Sequence, residues 1–428
     1  MRFLLTLLLV TAEVLVGAQS GQRAPADVAL RLGDVQVTGV RRYSAAEVTK
    51  LSGLQLGNPV PIADLAAAAE RMAATGLFNS VKYRYAIANG RIRLTFDIDE
   101  AAWTIPVDFD NFVWLTDADL NAAVREEIPS FDGTVPIASS DFVRRVLQHL
   151  LEVRRLSGRV EFLPETDLRT KSQRYLFAVR DPSPKVCGVT VDGASAVWAR
   201  DLAEPLRALV GADYSRVYVT QLSNGTLLNM YRQQGHWRAT FGAPSVRIDS
   251  AAGCEGVTVK IPVDEGVAYT WNQAEWIGNA VATQADLDRL LSMKRGDVAS
   301  SSKIDAGLRQ VRDGYGKQGY VLATAAYAMP VLEDAARRAT FQIRVQEGPQ
   351  FRTGAIEFVG LPPADVRNLQ ARWRMQSGDV YDASYPDEFR FAEIAPYRRR
   401  TAPLALAVAM QTHVDTQKLT VDVKFVFR

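Results

Sequence analysis

Residues 275–298 read EWIGNAVATQADLDRLLSMKRGDV, and this stretch decides the fold. An alternating run, Glu275-Trp276-Ile277, ends at Gly278. A segment with helical spacing follows, in which Leu287, Leu290 and Leu291 share one face, and it closes on Gly296. The two glycines lie 18 residues apart. The same interval separates Gly39 from Gly57, Gly193 from Gly211, and Gly360 from Gly378. A short alternating apolar run precedes the first glycine each time: Val35-Gln-Val37, Val189-Thr-Val191 and Ile356-Glu-Phe-Val359. A self-similar unit recurring about every 80 residues means an array of small domains.

Outward from these pairs the pattern extends. In the first repeat the strand Val35–Val37 leads through Gly39 to a helix over Ala45–Leu51. Gly57 is expected to end that helix, because glycine tolerates the positive φ common past helix C-termini. A second helix, Ile62–Ala74, carries Leu65, Ala69 and Met72 on one face. The strands Val81–Ala86 and Ile92–Ile98 follow, joined by Asn89-Gly90, a strong hairpin signal. The fourth repeat shows the same order: Ile304, Leu308, Val311 and Tyr315 mark its second helix, and strands are expected over Val321–Met329 and Ala339–Val345. In the fifth, Pro403–Met410 and Leu419–Phe427 form the hairpin. The stretch 101–182 lacks the glycine after its first strand, but its length and order make it a further copy. The expected fold class is therefore α+β. It is a tandem array of about five small β-α-α-β-β domains over residues 33–100, 101–182, 183–267, 268–348 and 349–428.

Composition narrows the class. Charged residues make up 23% and hydrophobic residues 47% of the chain, ordinary for a globular protein. A net charge of +2 gives no sign of nucleic-acid binding. Arg2, the apolar stretch Phe3–Gly17 and the small residues Val16-Gly17-Ala18 read as a cleaved export signal over residues 1–18, although Glu13 interrupts it. Two cysteines, Cys187 and Cys254, are too few for a Cys-rich metal site; in an oxidising compartment they suggest one bridge.

Strand–helix–helix–strand–strand order, the glycine after strand one, the junctions Glu265-Gly266 to Tyr269 and Glu347-Gly348 to Phe351, and Gly-Asp-Val at 296–298 and 378–380 resemble POTRA (polypeptide-transport-associated) domains. These form the periplasmic part of the outer-membrane β-barrel assembly family. There a barrel follows the last POTRA unit; here the sequence stops at Arg428, so the expectation is an array without a barrel. The resemblance implies a periplasmic protein associated with the outer membrane. Its implied partners are outer-membrane protein precursors or assembly-machinery proteins. A barrel on a separate chain and an anchored envelope or division scaffold are the alternative readings. It further implies that the first and last strands of a unit are parallel neighbours, which would place Cys187 beside Cys254. Finally, it implies that the second strand of each unit lies at a sheet edge. Two such strands carry no charge, so Leu404, Leu406, Val408 and Met410, with Val321, Ala323, Ala325 and Tyr327, are the candidate partner-binding edges. Covering loops are the alternative, and Val81–Ala86 is interrupted by Lys82 and Arg84.

No catalytic, cofactor or metal site is expected. Gly314-Tyr-Gly316-Lys-Gln-Gly319 matches a dinucleotide fingerprint but closes a helix instead of opening one. His149, His236 and His413 fall in three different repeats. Arg144, Arg145, Arg154 and Arg155 read as a solvated face. Arg398–Arg400 is a candidate for peripheral contact with anionic headgroups.

Overall fold

Ser44, Thr116 and Thr283 each start a helix by accepting a hydrogen bond from the backbone N–H three residues on, at Glu47, Asp119 and Asp286. Such caps satisfy N–H groups that a helix leaves unpaired at its start. The computed structural model describes residues 30–166, 172–249, 254–397 and 407–428; the expected signal, 1–18, lies outside them.

The first repeat comprises β1 (Arg31–Thr38), α1 (Ala45–Ser52), α2 (Ile62–Ala73), β2 (Phe78–Ala88) and β3 (Arg91–Glu100). The second comprises β4 (Thr104–Phe109), α3 (Asp117–Glu127), β5 (Thr134–Pro136), α4 (Ser140–Val153), β6 (Arg159–Thr166) and β7 (Gln173–Arg180). The third has β8 (Lys185–Asp192), α5 (Ala196–Arg207), α6 (Arg216–Leu222), a π-turn over Ser223–Leu227, α7 (Leu228–Gln233), β9 (Thr240–Phe241), β10 (Ser245–Asp249) and β11 (Gly256–Asp264). The fourth has β12 (Thr270–Ile277), α8 (Gln284–Leu291), α9 (Ser301–Gly316), β13 (Thr324–Tyr327), β14 (Val331–Glu333) and β15 (Arg338–Gln346). The fifth has β16 (Arg352–Val359), α10 (Pro363–Arg372), α11 (Tyr385–Phe389), a π-turn over Arg390–Ile394, β17 (Val408–Asp415) and β18 (Thr420–Phe427). The fold is α+β, a series of small helix-backed sheets.

Each sheet has its closing strand in the middle. The orders are β1-β3-β2, β5-β4-β7-β6, β10-β11-β8, β12-β15-β13 and β16-β18-β17, with β9 also on β11 and β14 also on β15. The first strand runs parallel to the closing strand in β1–β3, β4–β7, β12–β15 and β16–β18. A central strand loses more apolar surface to its neighbours, and β18 shows the result: Val421, Val423, Phe425 and Phe427 are buried.

The described residues gather into two compact units. One holds residues up to Thr190 with Leu206–Val219 and Pro244–Lys260. Its main core runs through the first two repeats, from Leu65, Met72 and Phe96 to Leu147 and Phe177. The Arg42–Asp132 ion pair spans these repeats at 3.2 Å. The other unit holds Val191–Pro205, Thr220–Ala243 and Ile261–Arg428. Its cores centre on Trp271 stacked on Phe341 (4.9 Å) and on Phe358 stacked on Phe425 (5.4 Å).

The paired glycines have two different jobs. Gly39, Gly193, Gly278 and Gly360 all have φ between 86° and 92°. A side chain there would overlap the carbonyl oxygen of the closing strand, at Ile98, Val263, Val345 and Phe427 respectively. Gly57, Gly211, Gly296 and Gly378 also have positive φ, but open space lies where a Cβ would go. They do not end the preceding helices, contrary to the sequence expectation: α1 stops at Gly53 in the left-handed region, and α8 at Ser292. Instead their N–H groups donate to the first strand, to Leu32, Val186, Trp271 and Thr353, at 2.7–2.9 Å. The interval of 18 residues is thus the length of a loop that leaves the first strand and returns to it. In the second repeat Asn111 stands in for the missing glycine. Its buried carboxamide donates to Val179 O (2.9 Å) and accepts from Val179 N (2.6 Å).

A carboxylate after the closing strand fixes the same loop. Glu100 accepts from the N–H of Arg41 and Arg42, Glu265 from Ser195, and Glu347 from Ala280 and Val281. Tyr231 and Tyr315 add hydroxyl donors to Glu265 (2.9 Å) and Glu347 (2.8 Å). Burial raises both phenols, and the adjoining carboxylates raise them further. At Glu347 burial pushes the carboxyl up, but the Val281, Tyr315 and Ala280 donors outweigh it and leave the group below its ordinary value.

Two outcomes follow for the fourth repeat. Gly296→Ala should cost about 1–2 kcal/mol, from left-handed backbone alone. Gly278→Ala should cost about 1–3 kcal/mol more, from overlap with the Val345 carbonyl; amide exchange across β12 and β15 measures the difference. Because the Glu347 pKa is lowered on folding, its stabilisation is complete above the unfolded value of 4.5 and fades as pH falls through the lower folded value. Glu347→Gln should therefore lower the melting temperature of this repeat at pH 7 and flatten its loss between pH 5 and 3, followed by calorimetry.

Candidate partner-binding edges

The fifth repeat presents an unbroken edge. β17 pairs antiparallel with β18 from Val408↔Phe427 to Asp415↔Thr420. Ala407 and Arg428 exchange two backbone hydrogen bonds, at 2.8 and 2.9 Å. Antiparallel ladders alternate bonded and non-bonded pairs. Residues 407, 409, 411 and 413 therefore turn their backbone groups toward β18, while Val408, Met410, Thr412 and Val414 turn theirs away. The side chains of Val408, Met410 and Val414 pack against the core of this repeat. Leu404 and Leu406, the other expected edge residues, lie outside the described residues, as do Arg398–Arg400.

The fourth repeat differs from expectation. Of the strand expected over Val321–Met329 only Thr324–Tyr327 forms, as β13; the edge breaks at Ala328–Pro330 and resumes beyond it as β14. Proline has no N–H to give a ladder and bends an edge. Val321 precedes the strand and packs on the core of the fifth repeat. Ala325 is buried, and Ala323 and Tyr327 pack on the core of their own repeat. The Tyr327 hydroxyl donates to Asp305 at 3.2 Å, and burial holds its pKa well above the ordinary value. The third repeat is built the same way: β9 and β10 flank Gly242-Ala-Pro244, and Gly242 N donates to Pro262 O at 2.9 Å. The first repeat has a long edge strand, β2, with Lys82 and Arg84 exposed along it.

Residues 30–101 and 269–348 match the POTRA family model, described as the surface antigen variable number repeat. Two of the five repeats are POTRA domains. The others place the closing strand inside the sheet in the same way, the third and fifth share the glycine geometry, and the second carries Asn111 in its place; they are POTRA-like. A protein of Treponema pallidum (strain Nichols) named as an outer membrane protein assembly factor is 24% identical over 213 residues, which is 48% of this chain and 25% of that protein. The chain thus aligns with about a quarter of that relative's length. POTRA domains 3–5 of Haemophilus influenzae BamA match 57% of this chain and 96% of that one, with 21% identity and a TM-score of 0.41. The N-terminal domain of Omp85 from Thermosynechococcus elongatus matches 58% of this chain and 97% of its own, with 14% identity and a TM-score of 0.27.

In the third POTRA-like repeat the structure joins Cys187 to Cys254, with Cα atoms 5.8 Å apart. The bridge ties the start of β8 to the residues just before β11 and closes a loop of 67 residues. Among the described residues no helix is long and apolar enough to cross a membrane. Gly319 follows α9 with φ 84°, and a Cβ there would lie 2.6 Å from Phe351 O, so the glycine-rich match at 314–319 serves the junction with the next repeat.

The sequence signal that could have exposed the broken edges was present: Pro244 and Pro330 occupy corresponding places in the third and fourth repeats. In the sequence Glu265 and Glu347 mark only boundaries between repeats; their N–H partners are brought to them by the fold. The ladder phase of β17 sets a clean contrast. Ala407→Pro removes the bond to Arg428 and should lower the stability of the fifth repeat by about 1 kcal/mol or more. Thr412→Pro removes an N–H that no strand among the described residues uses and should leave the β18 amides more protected than Ala407→Pro does, read by hydrogen exchange.

Proposed function

We propose that this chain is an exported, periplasmic protein-binding array that works in outer-membrane protein assembly. It binds extended segments of precursors or of assembly partners, and it carries out no bond-making chemistry. The observation that carries this reading is the outer edge of β17. Four alternate positions of β17, Val408, Met410, Thr412 and Val414, turn their backbone groups outward, and the strand is paired with the central β18, anchored by Phe425 and Phe427. An incoming strand would find backbone donors and acceptors already aligned, which is how β-augmentation gains affinity without strict sequence demands. POTRA domains in the first and fourth repeats, and a relative named for outer-membrane protein assembly, support the setting.

The test is a fluorescein-labelled ten-residue peptide of alternating valine and threonine, read by anisotropy. Thr412→Val keeps the outward N–H and should bind as the parent does. Thr412→Pro, shown to be folded by circular dichroism, should bind about fivefold or more weakly, the equivalent of one lost hydrogen bond. Equal binding by the two variants would remove β17 as the site.

A further inference from the structure

A second candidate site lies in the other POTRA-containing surface of the same compact unit, where the third and fourth repeats meet. It is a groove of about 740 Å³ floored by Leu228, Trp237, Phe241 and Leu332, with Met329 at its rim. Its floor is rigid: Trp237 Nε1 donates to Ala299 O at 2.7 Å, and the ring packs edge-on against Phe341 (5.1 Å) and Tyr327 (6.0 Å). Its rim is open: Met329 is 58% exposed, at the break that Pro330 makes in the edge.

One cation in this groove makes no ion pair among the described residues. Arg232 holds its guanidinium carbon 5.9 Å from the Trp237 ring centre, and its Nη2 lies 4.0 Å from Met329 Sδ. Its Nε is buried without a hydrogen-bond partner. The other charged groups of the groove are engaged. Arg238 is paired with Asp334 through two bonds of 3.0 Å; Asp264, the carboxylate of the groove lining, is turned to Gly266 N at 3.0 Å and makes no ion pair with Arg232. A buried guanidinium nitrogen with no acceptor is costly, and a carboxylate is the group its donors fit best.

The helix that delivers Arg232 is also irregular. Between its second glycine and the tyrosine that reaches the glutamate, the third repeat has one residue more than the fourth (Gly211 to Tyr231 against Gly296 to Tyr315). The π-turn at Ser223–Leu227 absorbs that residue. It keeps Tyr231 on Glu265 while Asn224, Leu228 and Arg232 line the groove. Single π-turns inside helices recur at functional sites.

We infer that this groove binds a short peptide segment in which an acidic side chain is flanked by apolar ones. The carboxylate would meet Arg232, and the apolar neighbours would lie on Trp237 and Met329, whose thioether adapts to varied shapes. Asn224, Thr240 and Asp264 ring the floor with groups that hydrogen-bond an amide backbone, which favours a peptide over an acyl chain. The site is separate from the β17 edge and does not depend on strand addition there.

The probes are acetyl-Ser-Leu-Glu-Phe-Ser-amide and its Gln and Lys counterparts, titrated into the full chain by calorimetry. The Glu peptide should saturate at millimolar concentration or below and bind about fivefold or more tightly than the Gln peptide, with the Lys peptide weaker still. Arg232→Gln should abolish the Glu-over-Gln preference, Met329→Ser should weaken both, and Thr412→Pro should change neither. Arg232 makes no ion pair within 4.0 Å in the structure, so its replacement should not unfold the repeat, and circular dichroism checks this. Equal affinity for Glu and Gln peptides, no saturation, or a preference unchanged in Arg232→Gln would each overturn the inference. So would phosphatidylglycerol vesicles that bind through Arg232 when the peptides do not.

Discussion

The fold rests on one close passage. After the first strand of a repeat, the chain must cross directly beside the last carbonyl of the closing strand. At Gly39, Gly193, Gly278 and Gly360 there is no room for a Cβ, and the backbone needs positive φ as well. Only glycine meets both demands at little cost. Because the first strand lies parallel to the closing strand, the same crossing places the following helices over one face of the sheet. The second repeat solves the problem differently. Asn111 uses its carboxamide to occupy both backbone groups of Val179, so the loop is held by hydrogen bonds rather than by contact.

The remaining constraints are extensions of that crossing. A carboxylate from the end of the closing strand gathers the N–H groups of the crossing loop, and in the third and fourth repeats a tyrosine from the second helix completes its shell. The helix is thereby tied to the sheet through a partly buried, charge-assisted network, stronger than neutral hydrogen bonds in the same place. Between neighbours, Gly235 O and Gly319 O accept from the N–H of Tyr269 and Phe351, at 2.9 and 2.8 Å. Those aromatics are themselves buried. Each of these repeats is therefore joined to the next by backbone hydrogen bonds and a buried ring at its first strand.

Edges are treated unequally, and this bears on function. Sheets with exposed edges invite unwanted pairing, and proteins commonly interrupt them. Here Pro244 and Pro330 break the edges of the third and fourth repeats, and Lys82 and Arg84 place charge along that of the first. β17 carries neither device between Val408 and Val414. Where the edge is broken, side chains take over: the gap beside Pro330 opens onto Trp237 and Arg232. The proposed binding modes thus differ in kind, one through backbone and one through side chains.

Much of the fold was legible in the sequence. The 18-residue glycine interval, the alternation of Val421, Val423, Phe425 and Phe427, and the Asn89-Gly90 turn are local signals, because φ and strand period are set by neighbouring residues. Even there the meaning of Gly57 and its counterparts was misread. Their partners lie on the first strand, and a helix can stop at Gly53 or Ser292 without them. The sites were less legible. Composition showed that Val321–Met329 bears no charge. It did not show that Pro330 splits the strand or that Val321 is covered by the next repeat. Which backbone groups of β17 face outward depends on the pairing of Ala407 with Arg428, 21 residues away in sequence. That Arg232 makes no ion pair depends on where the carboxylates of its groove turn: Asp334 to Arg238 and Asp264 to Gly266 N. Such facts belong to the whole packed arrangement: a residue's type fixes what it can bond, and only the fold decides which bonds are already taken.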